Sequence, residues 1–161
     1  VWRRKIETYL YYTGYNILAT DMEQFGDIHL ENISWRCGDN TIDSVLNWKK
    51  LDILQPAKYD VIEPREVVIC SEVLEHLHDW RVALKNLIAL AKTRVIITVP
   101  VEGSFNDPGH VNHWNDETIQ EWKTITKPYA TSIQRIRTKP KDVEMKQWAY
   151  LIIIDKRQKY E

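Results

Sequence analysis

The sequence predicts an α/β fold: a mostly parallel sheet flanked by helices and closed by a C-terminal antiparallel hairpin. Three observations predict it. Residues 66–70 and 94–99 each hold a short apolar run, Val67-Val68-Ile69-Cys70 and Val95-Ile96-Ile97-Thr98-Val99. A parallel strand covered on both faces reads this way, without alternation. Between the two, residues 79–91 follow a helical period. Trp80, Leu84, Leu87, Ile88 and Ala91 share one face, while Arg81, Lys85 and Asn86 point away. Near the end, residues 130–138 alternate and residues 147–155 are strongly apolar, with 140–144 joining them as a hairpin connection.

Taken in order, the elements fill that outline. Residues 2–12 put Trp2, Ile6, Tyr9 and Leu10 near one helical face, and Gly14 stands where a left-handed C-terminal turn wants it. Residues 15–20 read as a strand ending at Asp21. Gly26, Asn32, Gly38 and Asn40 punctuate residues 24–40, which suit short strands or loops. Residues 41–49 suit a short helix capped by Asn40 or Thr41, with Val45 and Trp48 burying a face. Leu51-Asp52-Ile53 is a strand end with an acid on it, and 55–65, holding Pro56 and Pro64, is a connection. The strand 66–70 then runs into Ser71-Glu72-Val73-Leu74-Glu75-His76, and Asp79 is placed to cap the following helix. In an open α/β sheet, ligands bind just past the carboxyl ends of such strands. The strand 94–99 closes at Pro100. The loop 101–114 holds Gly103, Asp107, Pro108, Gly109 and two histidines, His110 and His113; loops of this length after a strand often carry function. Asn115 caps a helix through about Thr124.

The totals bound the function. At 161 residues the chain suits a single domain, with no repeat and no internal boundary. A net charge of -1 gives no electrostatic footprint for long nucleic acid, which argues against that partner. The 2 cysteines lack metal-type spacing, and Cys70 lies in the apolar strand, so a buried thiol in a reducing compartment is expected. No apolar run approaches the ~20 residues of a membrane span, and no secretory signal is visible. The cytoplasm is the expected location, with no membrane partner.

The run "VVICSEVLEHL" over 67–77, followed by "HDW", a helix, "RVIITVP" and "HVNHW", resembles the class I S-adenosylmethionine-dependent methyltransferases. It is most similar to the small members that carry an "EVLEHL" stretch after the fourth strand. The upstream phrase "TGYNILATDME" resembles that family's second strand. The resemblance implies a Rossmann-like sandwich and S-adenosylmethionine as cofactor. It implies that Asp21 accepts hydrogen bonds from the cofactor ribose, that Met22 packs on the adenine, that Asp52 takes the adenine amino group and that Ile53 flanks the ring. It places Ser71 and Glu72 beside the methionine portion and the transferred methyl. Glu75 and His76 would face the substrate or steady the next helix. His110 and His113 are candidate general bases, since imidazole accepts protons near neutral pH.

The resemblance also leads one to expect a first strand and a glycine-rich loop before Val1. They are absent from the sequence, so the domain is expected to be N-terminally incomplete, or a partner segment supplies the strand. Unpaired backbone groups beside a central strand would each cost on the order of 1–3 kcal/mol. The acceptor of the methyl group, small or macromolecular, is not identified by any motif. Two alternatives stand beside methyl transfer. One is a catalytically inactive relative acting as a binding protein. The other is a metal-dependent RNA 3′-end 2′-O-methyltransferase. Glu72, Glu75 and His76 have an i, i+3, i+4 spacing, so one helical face would present all three. That is also a ligand geometry for an oxygen/nitrogen metal site. With His110 or His113 added, the set resembles the metal cluster of those enzymes, whose Mg or Mn grips terminal ribose hydroxyls. The same "EVLEH" stretch also marks relatives without metal, so no metal ligand is assigned.

Overall fold

The structure is a computed structural model that describes residues 13–14, 16, 18–21, 35–37, 40–42, 47–56, 62–103, 107–138 and 147–159. The helix expected over 2–12, Met22 and the hairpin connection 140–144 lie outside the described residues. The chain divides into two compact units, Val1–Val61 and Ile62–Glu161.

In the first unit, β1 (Leu18–Asp21) pairs in parallel with β4 (Asn47–Lys50), Asp21 opposite Lys50. The expected strand ending at Asp21 is present, and Gly14 before it takes φ 90°, the left-handed turn predicted there. The helix expected over 41–49 is not what forms at its described positions. β2 (Trp35–Cys37) and β3 (Asn40–Ile42) make an antiparallel pair, and Asn47 through Lys50 is β4 itself. The three-residue spacing of Val45 and Trp48 mimics a helical face. A strand ladder to β1 satisfies four residues' backbone and overrides that weak local signal.

The second unit carries a four-stranded sheet in the order β5–β6–β8–β7. Its strands are β5 (Arg65–Ser71), β6 (Ala91–Pro100), β7 (Tyr129–Arg137) and β8 (Trp148–Lys159). The β5–β6 pair is parallel, with Val68 opposite Val95 and Ser71 opposite Thr98. Both junctions of β8 are antiparallel. The expectation of a mostly parallel sheet is therefore corrected for this unit: the long last strand inserts between β6 and β7 and contributes two antiparallel ladders. The hairpin itself is as expected.

One face of the sheet is closed. Val95, Ile97, Val99, Tyr150, Ile152 and Ile154 are all buried, and α1 (Trp80–Leu90) packs on β5 and β6 with Trp80, Ala83, Leu84 and Leu87 buried. The other face is half-open, and there β5 departs from the sequence expectation of a strand covered on both sides. Val67 and Ile69 are each 43% exposed. Among the described residues of this unit, β5 is an edge strand, so its apolar run reflects one covered face only.

Asp79 precedes α1 as expected but caps it with backbone alone: its carbonyl accepts from Val82 N and Ala83 N, and its side chain makes no capping bond. The other end of α1 is capped from a distance. The β7–β8 register jumps from Tyr129 opposite Lys159 to Ala130 opposite Asp155, leaving Lys156, Arg157 and Gln158 bulged. A bulge re-aims side chains. Here it sends Lys156 Nζ to the carbonyl of Ile88, which also accepts the Ala91 N–H, and to that of Ala91 at the helix C-terminus.

The same bulge builds an ion-pair cluster. Arg157 donates from Nε to Asp155 Oδ1 at 3.0 Å and from Nη2 to Oδ2 at 2.6 Å, and Arg94 Nη2 reaches Oδ2 at 2.8 Å. First the Arg157 bonds, then the Arg94 bond, hold the Asp155 carboxyl well below the usual carboxylate range. A depressed folded value favours the folded state fully above the ordinary value of about 3.9, and that contribution is lost as pH falls from there toward the folded value. Thermal midpoints measured from about pH 5 to pH 2 are expected to fall more steeply for the unmodified chain than for Asp155→Asn, which has no proton to take up. Parallel slopes would show that this cluster does not couple to folding.

Candidate functional site

The site begins where β5 ends. Ser71 Oγ and Thr98 Oγ1 lie 2.7 Å apart across the β5–β6 ladder, and Glu72 N donates to the Thr98 carbonyl at 3.0 Å. The chain then turns abruptly: Glu72 takes φ 54°, a left-handed conformation that costs a residue other than glycine roughly 1–3 kcal/mol. Burial raises the Glu72 carboxyl above its ordinary value, opposed by a hydrogen bond from Thr98 and by the charge of His76.

A single 3-10 turn, Leu74–His76, follows. It turns Leu74 and Glu75 inward, to 0% and 1% exposure. This corrects the expectation that Glu72, Glu75 and His76 share a helical face. Residue 72 is not helical, and α1 starts only at Trp80. Glu75 and His76 are instead splayed from a tight turn, with His76 Nε2 3.8 Å from Glu75 Oε1.

The loop after β6 folds onto this turn. Asp107 organises it: Oδ1 accepts Gly109 N at 2.8 Å and the carbonyl accepts His110 N at 3.1 Å. His76 Nδ1 lies 3.0 Å from the Gly109 carbonyl. A carbonyl only accepts, so Nδ1 carries the hydrogen, and in the neutral ring Nε2 is left as the free lone pair. Gly109 is needed here for close approach. A Cβ would stand 3.2 Å from Asp107 Oδ1 and 3.3 Å from His76 Nδ1. Val111 N and Asn112 N both donate to the Glu75 carbonyl, at 2.8 and 3.0 Å. Asn112 Nδ2 donates to Leu74 O at 2.9 Å and Leu77 O at 2.7 Å.

Ligand atoms of Glu75, His76 and His110 thereby come within 4.8 Å of one another. The two imidazole rings meet edge to face at 4.9 Å. His110 is 7% exposed in its side chain, with Nε2 3.8 Å from Asp107 Oδ2. Burial, then the charge of His76, lowers the His110 pKa, and Asp107 opposes them. The ring is thus held neutral at physiological pH. His113 is exposed and outside the three-residue group. A carboxylate and two imidazoles form a mixed oxygen/nitrogen donor set, which fits a divalent cation. The Nδ1–H bond of His76 to a backbone carbonyl is the outer contact that orients a ligating histidine. The same groups without metal fit general-base work.

The remaining expected residues fall in the first unit. Asp21 ends β1, and Asp52 and Ile53 lie just past β4, buried to 7% and 8% exposure. One Asp52 oxygen is already used, accepting Leu54 N at 2.9 Å in a local turn. Asn112, Gly109 and Asp107 were not singled out as site residues from sequence. Asp107-Pro108-Gly109 is a turn signature that points to the tight loop, whereas nothing local marks Asn112.

No protein-family model matches the chain, and no curated protein matches its sequence. Solved structures do match its shape. A SAM-dependent methyltransferase from Methanosarcina mazei superposes with a TM-score of 0.64 at 11% identity, over 94% of this chain and 87% of that one. A SAM-dependent methyltransferase from Archaeoglobus fulgidus gives 0.60 at 15% identity, over 96% and 82%. The magnesium protoporphyrin IX methyltransferase of Synechocystis PCC 6803, solved with bound SAM, gives 0.55 at 14% identity over 89% of this chain, which spans 61% of that enzyme's length. At these identities the likeness establishes the fold, that of the SAM-dependent methyltransferases.

Proposed function

We propose that this chain transfers a methyl group from S-adenosylmethionine to an acceptor. The observation that carries the reading is the strand end in this fold: Ser71, Glu72 and Thr98 close β5 and β6, and Glu75, His76 and His110 gather immediately beyond, where open α/β sheets bind their ligands. The cofactor supplies an electrophilic methyl when bound. The chain's own part is to hold and align the acceptor, which contributes most of the rate for such a displacement. Ser71 and Glu72 are assigned to the cofactor side, and Asp21, Met22, Asp52 and Ile53 keep the ribose and adenine roles that the sequence resemblance implies. Glu75, His76 and His110 are assigned to the acceptor side, with neutral His110 suited to take an acceptor proton and His113 at the outer rim of the same loop. No helix among the described residues is long and apolar enough to cross a membrane, and we assign the chain to a reducing cytoplasm on its cysteine usage.

Calorimetric titration of the chain with S-adenosylhomocysteine tests the reading. Saturable binding at one site is expected, and absence of heat at millimolar ligand would leave only the fold in common with the methyltransferases.

A second reading is favoured by the Glu75, His76 and His110 group alone. Held by these three, a divalent cation would grip the terminal ribose hydroxyls of an RNA acceptor. Mn titration of the chain, followed by methyl transfer to a short RNA with and without Mn, separates this reading from the first.

A further inference from the structure

We propose that Asn112 is the positioning residue of the candidate site: its amide ties the 107–114 loop to the 74–77 turn and so sets His110 against Glu75 and His76. The assignment rests on reading that trio as the working edge. The geometry behind it does not.

His110 and the Glu75–His76 pair sit on segments more than thirty residues apart in sequence, so something must fix their mutual distance. The turn offers three carbonyls toward the loop, those of Leu74, Glu75 and Leu77. Among the described residues Asn112 alone engages all three. Its backbone N and that of Val111 share the Glu75 carbonyl, and its two Nδ2 hydrogens divide between Leu74 O and Leu77 O. Two carbonyl acceptors fix which end of the amide faces the turn, since the opposite orientation would set oxygen against oxygen. Any residue at 112 can supply the backbone bond. The fork needs a short side chain with two hydrogens on one atom. Asp has the shape and no donor. Leu has the volume and no donor. Gln is one methylene too long for the same backbone position. With residues 111 and 112 both pinned, His110 has little freedom to swing away, and on the other flank His76 Nδ1 returns a bond to Gly109 O.

The test reads geometry, not turnover. In the isotope-labelled chain, NMR is expected to show a ring-to-ring NOE between His76 and His110, slow exchange of the Val111 amide, and slow exchange of both Asn112 Nδ2 hydrogens. In Asn112→Leu the NOE is expected to vanish and the Val111 amide to exchange at least about tenfold faster. Lys156→Met, which weakens the far end of α1, is the control for simple destabilisation and is expected to keep the NOE. Persistence of the NOE and of the protection in Asn112→Leu overturns the proposal, as does their loss in Lys156→Met as well. If Asn112→Leu does not fold, the unmodified chain decides: fast-exchanging Nδ2 hydrogens overturn the proposal and slow ones support it. Failure of the methyl-transfer reading shows separately, as loss of S-adenosylhomocysteine binding with the NOE intact.

Discussion

Trp122→Ala is expected to remove a large share of the second unit's stability. Trp122 is 0% exposed and is the largest fully buried side chain of the described core. It stacks on Trp80 with ring centroids at 4.9 Å and meets Trp114 edge to face at 5.6 Å, while Trp80 and Trp114 meet at 5.5 Å. Each ring belongs to a different segment: Trp80 starts α1, Trp114 ends the loop that carries His110, and Trp122 lies on α2 (Glu121–Ile125). A five-residue helix has no stability of its own, so its place depends on this ring. Removing a buried tryptophan side chain costs about 3–5 kcal/mol, against a total of about 5–15 for a domain. The urea midpoint should fall by about a fifth or more. Trp122→Phe keeps most of the stack, and among the described residues the indole N–H has no hydrogen-bond partner to lose, so its shift should be much smaller. A midpoint change in the alanine variant equivalent to less than about 1 kcal/mol would mean that the three rings do not act as a core. The loop's anchorage follows from the same cluster: with Trp114 loosened, the Val101–Trp114 bridge and the hydrogen bond from Glu102 N to Trp114 O should weaken with it.

What the sequence revealed and what it hid have physical causes. The stretch from β5 to Trp114 was legible because strands and α1 write their burial into consecutive residues. The hairpin was legible for the same reason. No local pattern joins His110 to Glu75 and His76 across more than thirty residues; only the family resemblance suggested that grouping. The exposure of Val67 and Ile69 was not legible, because an apolar run looks alike whether one face or both are covered. Asn47 through Lys50 misled because two apolar positions three apart fit a helix as well as chance does, and only the partner strand decides. The left-handed turn at Glu72 was invisible, since a non-glycine residue at φ 54° leaves no compositional mark. That turn is what breaks the expected helical face of Glu72, Glu75 and His76. Asn112 was invisible for another reason. Its partners lie 35 and 38 residues away, and no local period records a bond of that span.

On the methyl-transfer reading, Glu75→Gln is expected to abolish most methyl transfer while leaving the scaffold in place. The substitution keeps the shape of a side chain with 1% exposure and does not touch the Glu75 carbonyl, which holds Val111 N and Asn112 N. The loop should therefore stay docked. What changes is the charge beside His76 Nε2, 3.8 Å away. If the trio works as a proton-accepting or cation-holding unit, the carboxylate is its only anion, and neither imidazole replaces it. Loss of a group acting in proton transfer lowers rates by about 10²–10⁴. On that reading S-adenosylhomocysteine release in a methyl-transfer assay should fall in that range, whereas calorimetric affinity for S-adenosylhomocysteine should hold within about twofold, since Ser71 and Glu72, the residues proposed for the cofactor side, are untouched. Stability should not fall in step, because the amide keeps the shape and volume of the buried side chain. His113→Ala, on an exposed ring outside the trio, should cost far less than Glu75→Gln. Full turnover in Glu75→Gln would assign the carboxylate to the fold alone. A loss in His113→Ala as deep as in Glu75→Gln would move the acceptor side of the site outward along the loop.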